Sequence, residues 1–118
     1  MGKRVLIVDD SSIMRKMIKN TLASGSHQVV GEAKNGKEAV AMYKSLKPDL
    51  VTMDITMREM DGFVAAKEIL AHDGSAQIIF LSNLDEEKYT QDARSIGAKG
   101  YVNKHKAKEI LELIDKGP

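Results

Sequence analysis

The sequence predicts an α/β fold, a five-stranded parallel sheet with helices on both faces. Three observations predict it. Short β-branched apolar runs without alternation recur along the chain, and such runs belong to strands covered on both sides. Each is followed by a stretch in which apolar residues return every three or four positions, which is one face of a helix. The connections are short, so strand and helix alternate five times, and that order joins parallel strands by right-handed crossovers.

Taken in order, Arg4-Val5-Leu6-Ile7-Val8 is the first strand and Asp9-Asp10-Ser11-Ser12 ends it. Met14, Met17, Ile18, Thr21 and Leu22 form the inner face of the first helix, capped by Ser11 or Ser12 and stopping near Gly25. Gln28 to Ala33 is a weaker second strand, and after Asn35-Gly36 a helix turns Ala39, Met42, Tyr43 and Leu46 inward. Pro48 ends it, because the residue before a proline is pushed out of helical geometry. Asp49 to Met53 is the third strand, which delivers Asp54 to its end; a loop to Asp61 follows. Asp61 caps a helix from about Gly62 to Ala71 with Phe63, Ala66 and Leu70 inward.

Gln77 to Leu81 is the fourth strand, closed by Ser82. Asn83 and Glu86 have capping-box spacing at the start of a helix that buries Tyr89, Ala93 and Ile96. The turn Gly97 to Gly100 leads into the last strand, Tyr101-Val102-Asn103, with Lys104 beyond it. A final helix from about Lys106 to Lys116 places Ala107, Ile110, Leu111 and Ile114 on one face.

Length and composition bound the function. With 118 residues, 42% apolar and 30% charged, the chain has the size and composition of one globular domain, expected to span residues 1–118. A net charge of +1 supplies no field to draw nucleic acid or a membrane surface. The lack of cysteine excludes a disulfide framework and thiolate metal sites. No run approaches the roughly 20 apolar residues of a membrane span, and the first residues enter a strand instead of a signal sequence, so a cytoplasmic protein is expected. The sequence ends at Gly117-Pro118 just past the last helix, as in a complete chain or one trimmed at a domain boundary.

In open α/β sheets, reactive groups collect beyond the carboxyl ends of the strands. There the first strand delivers Asp9 and Asp10, the third Asp54, the fourth Ser82 and the fifth Lys104. Any one of these could be a turn, cap or solvated loop residue; together they are a site. Clustered carboxylates repel one another unless a cation intervenes, and a hard metal such as Mg²⁺ suits them. A metal-neutralised Asp54 beside a hydroxyl and an ammonium is suited to accept a phosphoryl group, with Ser82 and Lys104 acting on the phosphoryl oxygens.

Val8-Asp9-Asp10-Ser11, Met53-Asp54 with Met60-Asp61-Gly62, Leu81-Ser82 and Gly97 to Lys104 together resemble the receiver domain of two-component response regulators, over essentially the whole chain. The resemblance implies the strand order 2-1-3-4-5 of flavodoxin-like sheets and phosphoryl transfer to Asp54 from a histidine kinase. It implies Mg²⁺ held by Asp10, Asp54 and the backbone carbonyl of Thr56, with Asp9 acting through water. It also implies a switch pair, in which Ser82 moves toward the phosphoryl group and Tyr101 turns inward. The output partner would bind helix four, strand five and helix five of a monomer. Asp9-Asp10-Ser11-Ser12 followed by Met14-Arg15 leans toward single-domain chemotaxis regulators, with a flagellar motor switch or a kinase as partner. The protein would then be a signalling phosphoprotein with only weak self-dephosphorylation, not an enzyme.

Arg58, Asn83 and His105 depart from the family pattern of proline, a small residue and proline at these places. A non-proline cis bond costs about 2.5–4 kcal/mol, so the 104–105 bond is expected trans, the loop before the last helix altered and Lys104 open to displacement. Atypical phosphorylation kinetics are expected from these rim changes. Other functions fit less well. A Mg²⁺-dependent phosphatase would place nucleophile and acid two residues apart after the first strand, whereas Asp9 and Asp10 are adjacent. A flavin site would need a phosphate loop where the two carboxylates stand. Another phosphorelay, a trimmed multidomain regulator or a phosphorylation-independent adaptor are the alternatives on the same fold. His27 and His72 are expected at the surface.

Overall fold

The computed structural model describes residues 2–55, 57, 60–82 and 87–115, the side chains of Glu87, Lys88 and Tyr89 excepted. Five strands, β1 (Arg4–Val8), β2 (Gln28–Ala33), β3 (Leu50–Asp54), β4 (Ile78–Ser82) and β5 (Gly100–Asn103), alternate with five helices. These are α1 (Ser12–Ser24), α2 (Gly36–Leu46), α3 (Gly62–His72), α4 (Glu87–Ile96) and α5 (Glu109–Asp115). The strands form one parallel sheet in the expected order, β2-β1-β3-β4-β5.

Successive side chains of a strand point to opposite faces, and the sheet divides its apolar residues accordingly. Leu6, Val8, Val51, Met53 and Phe80 pack with Ala39, Tyr43, Ala66, Ile69 and Ala93 of α2, α3 and α4. Val5, Ile7, Leu50, Ile79, Leu81 and Val102 pack on the other face with Ile18 and Leu22 of α1 and Ile110 and Ile114 of α5. Both faces of β3 and β4 are therefore buried, which is why their sequences do not alternate.

The helix starts follow the expected caps. Side chains of Ser11, Asn35 and Asp61 accept the backbone N–H groups of Met14, Glu38 and Val64, satisfying amides that the first turn leaves without partners. At the end of α2, Lys47 takes the left-handed conformation (φ 48°) and returns its N–H to the Tyr43 carbonyl at 2.9 Å. The proline that follows excludes a further helical residue.

Three helices differ from expectation. In α1 Met17, expected on the inner face, is exposed, because the buried line runs through Ile18 and Leu22, one turn apart, and Met17 stands to its side. In α3 the fully buried positions include Ala65 and Ile69 beside Ala66, while Phe63 and Leu70 are only partly covered. Apolar residues fall on more than one face of this helix, Val64 among them exposed, so its spacing does not single out one face; the small pair Ala65-Ala66 lets the backbone approach the sheet, and the Phe63 ring meets Phe80 at a tilt of 59°, 4.9 Å between ring centroids. In the last element, Lys104–Lys106 forms a 3₁₀ turn and α5 begins at Glu109 rather than near Lys106. The Asn103 side chain accepts the His105 N–H at 2.8 Å and tightens the chain there. Ile110 and Ile114 are buried as expected, whereas Ala107 and Leu111 are half-covered. The Asn83–Glu86 capping box and the Tyr89 side chain lie outside the described residues, as does Lys116.

Candidate functional site

Register explains how the polar residues meet. Val8 pairs with Met53, so Asp9, one residue past β1, stands level with Asp54 at the end of β3. Asp54 pairs with Leu81 and Ser82 with Asn103. Ser82 and Lys104 therefore stand successively further out on the same edge, and the long lysine side chain reaches back. Its Nζ lies 2.9 Å from Asp9 Oδ2 and 3.2 Å from Asp54 Oδ1. Lys104 is not displaced by the His105 departure: among the described residues no peptide bond is cis, and the 3₁₀ turn delivers the ammonium to the carboxylates.

Asp9 is fully buried, and Asp54 and Ser82 are each 4% exposed. Asp10 is exposed and offers an oxygen within 4.8 Å of those of Asp9 and Asp54. The close packing of α3 frames the site from below: a Cβ on Gly62 would collide with the Asp54 carbonyl oxygen, and the Gly62 N–H donates to the Ile55 carbonyl at 2.8 Å. Glycine is needed here for the close approach.

Two carboxylates and one ammonium in a buried place leave uncompensated negative charge. Burial, followed by the Asp9 charge, pushes the Asp54 carboxyl up to about 6, against the opposing pull of Lys104. Burial works against the Lys104 ammonium too, but Asp9 and Asp54 outweigh it and hold its pKa above the ordinary lysine value. Asp9 Oδ1 accepts the Ser11 N–H at 2.9 Å. Its Oδ2 is buried and lies 2.9 Å from the Lys104 ammonium. Oxygens of Asp9, Asp10 and Asp54 converge within 4.8 Å of one another against a single ammonium, and such an excess of hard, anionic oxygens fits a hydrated divalent cation such as Mg²⁺, which takes oxygen ligands and retains water.

Asp9, Asp10, Asp54, Ser82 and Lys104 are thus placed at one edge. Thr56, Arg58 and Asn83 lie outside the described residues. Tyr101 is half-buried on β5, opposite Phe80 in register and packed against the cluster under α2, α3 and α4. His72 and His105 are exposed, and His27 is half-buried, its Nδ1 accepting the Lys3 N–H at 2.9 Å. One neighbour of the site is not singled out by the sequence. Arg15 on α1 donates from Nη1 to the Asp9 carbonyl at 2.7 Å and from Nε to Glu32 at 3.2 Å. The available signal was its position one turn after the Ser11 cap, a spacing that stacks side chains on one helix face over the preceding loop.

The response regulator receiver domain matches residues 5–115 of the chain. The chemotaxis protein CheY of Bacillus subtilis is 49% identical over 117 residues, covering 98% of each chain. That of Thermotoga maritima is 47% identical over 117 residues, again 98% of each. Among solved structures, the CheX–CheY–BeF₃–Mg complex from Borrelia burgdorferi contains a chain with a TM-score of 0.91 and 34% identity, covering 96% of this chain and 87% of that one. The response regulator domain of Thermotoga maritima CheB gives 0.90 and 36%, covering 98% and 96%. With its sheet order, its acidic edge and these matches in agreement, the chain belongs to the CheY-like receiver domains of two-component response regulators.

Proposed function

We propose that Asp54 accepts a phosphoryl group from the phosphohistidine of a histidine kinase, in a Mg²⁺-dependent reaction, and that the phosphorylated chain changes its affinity for an output partner in chemotaxis signalling. The observation that carries this reading is the buried Asp54 carboxylate, with Lys104 Nζ at 3.2 Å and oxygens of Asp9 and Asp10 within 4.8 Å. Above about pH 6 the Asp54 carboxyl is ionised, as a nucleophile must be. One of its oxygens forms a bond to phosphorus as the donor's N–P bond breaks, and the imidazole leaves with the electron pair. Lys104 offsets charge on the transferred oxygens, and Ser82, one residue beyond Asp54's partner on β4, donates its hydroxyl hydrogen to one of them.

Asp9, Asp10 and Asp54 would hold the Mg²⁺, with the Thr56 carbonyl as a further ligand and Asp9 acting through water. When bound, the ion supplies charge neutralisation that lets an anionic donor approach three carboxylates. Ser82 and Tyr101 form the switch: the hydroxyl moves toward the phosphoryl group and the half-buried ring turns inward. The output surface is α4, β5 and α5, with a flagellar motor switch as the partner in mind. The protein is a phosphoacceptor whose only turnover is slow loss of its own phosphoryl group. Among the described residues no helix is long and apolar enough to cross a membrane, in keeping with a place in the cytoplasm.

Incubation with a small phosphodonor tests the reading. Intact-mass analysis should show one added phosphoryl group with Mg²⁺ and none with chelator, nor in Asp54→Asn. Labelling that persists in Asp54→Asn, or its absence in the wild type, would sink it. A pull-down comparing Mg²⁺/beryllofluoride-treated protein with Asp54→Asn tests the switch, which identical partner sets would remove.

A further inference from the structure

We propose that Arg15 is a positioning residue for the acidic site, holding the Asp9 peptide, and through it the Asp9 carboxylate, where Mg²⁺ binds. The inference rests on the Mg²⁺ reading above. Asp9 is the point at which the chain leaves the sheet. Its N–H is still tied to β2, donating to the Ala33 carbonyl at 3.0 Å. Its own carbonyl has run past the strand ladder, and a buried carbonyl without a donor is costly. Arg15 Nη1 supplies the donor at 2.7 Å.

The guanidinium is itself held. Its side chain is 12% exposed, and Nε lies 3.2 Å from Glu32 Oε1, while Lys19 Nζ lies 2.7 Å from the other Glu32 oxygen. Lys19 most of all, and then Arg15, keep the Glu32 carboxyl below its ordinary pKa against partial burial. Glu32 immediately precedes Ala33 on β2. A closed ring results: Asp9 carbonyl, Arg15, Glu32, the β2 backbone to Ala33, and back to the Asp9 N–H. Both polar groups of one peptide-flanked residue are thereby anchored at adjacent positions of a neighbouring strand. The planar fork of arginine, with several donors in fixed directions, can serve two acceptors at once, which an ammonium does less well.

Two effects of Arg15 on a bound cation have opposite signs, and this makes the inference testable. A fixed positive charge near the site repels Mg²⁺, so on electrostatics alone Arg15→Ala should tighten binding. Positioning predicts weakening, since changes to groups that orient metal ligands typically cost 10–100-fold in affinity. Mg²⁺ affinity of the metal-free protein would be measured by calorimetry or by amide chemical shifts, with unfolding midpoints in chelator measured in parallel. The expected result is a loss of about ten-fold for Arg15→Ala, a smaller loss for Arg15→Lys, and no loss for Lys16→Ala, the exposed neighbour on the same helix.

Equal or tighter Mg²⁺ binding by Arg15→Ala overturns the inference, even if the variant is less stable, because a merely structural role would lower the midpoint alone. Should Arg15→Ala fail to fold, Arg15→Lys decides, and an affinity equal to or above wild type overturns it. If the wild type binds no Mg²⁺ at all, the acidic-site reading itself has failed, which is a distinguishable result.

Discussion

Replacing Asp54 by asparagine should stabilise the metal-free protein at neutral pH and destabilise it at acid pH. Burial and the Asp9 charge raise the Asp54 carboxyl from 3.8 to about 6. The folded state therefore binds this proton more tightly than the unfolded state does. The resulting stabilisation is fully present below the unfolded pKa and is lost as pH rises through the folded one, so stability falls between about pH 4 and pH 6. About two pKa units at 1.36 kcal/mol each give a penalty of about 3 kcal/mol above that window. An asparagine amide left imperfectly paired in the same place gives back about 1–2 kcal/mol, so the net gain for Asp54→Asn at pH 7.5 is about 1–2 kcal/mol. Urea unfolding in chelator at pH 7.5 and at about pH 4, where the amide cost is no longer offset and the gain should turn into a loss of about 1 kcal/mol, is the assay. Adding Mg²⁺ to ten times its Kd should raise wild-type stability by about 1.4 kcal/mol and leave the variant nearly unchanged. A destabilised Asp54→Asn at pH 7.5, or a gain that is the same at both pH values, would refute the electrostatic account of the site.

Lys104→Ala removes the cation that faces two buried carboxylates; in metal-free protein it should cost about 3 kcal/mol or more. It should also move the Asp54 titration, followed by carboxyl NMR, above 6, and an unmoved titration would show that Lys104 is not the compensating charge. Gly62→Ala forces a Cβ into the Asp54 carbonyl; the expected loss is about 1–3 kcal/mol in urea unfolding, with Gly74→Ala, where the space is open, as the control. Asn103→Ala should cost about 1 kcal/mol by leaving the His105 N–H without its cap. In a His105→Pro background that donor is gone, so the same change should cost much less, and equal costs in both backgrounds would remove Asn103 as the organiser of the 3₁₀ turn.

The elements and their order were legible in the sequence because they rest on local chemistry. A parallel sheet buried on both faces requires strands without alternation, and Val5 to Val8, Leu50 to Met53 and Ile78 to Leu81 meet that demand. Ser11, Asn35, Asp61 and the Lys47-Pro48 step mark helix ends through contacts within a few residues. The site residues were legible for the same reason: each ends or follows a strand, and all parallel strands end at one edge. What only the tertiary structure decided depends on distances between elements. Whether Lys104 reaches Asp54 turns on a 3₁₀ turn set by Asn103 and on the stagger of β4 and β5. Which face of α3 is buried was decided by how closely Ala65 and Ala66 let it approach the sheet, since its apolar residues left the spacing ambiguous. The tie from Asp9 through Arg15 to Glu32 joins residues from three successive elements, and no local periodicity announces it. Periodicity and capping follow from the chain's own neighbours, whereas a charge's partner is chosen by the packing of the whole sheet.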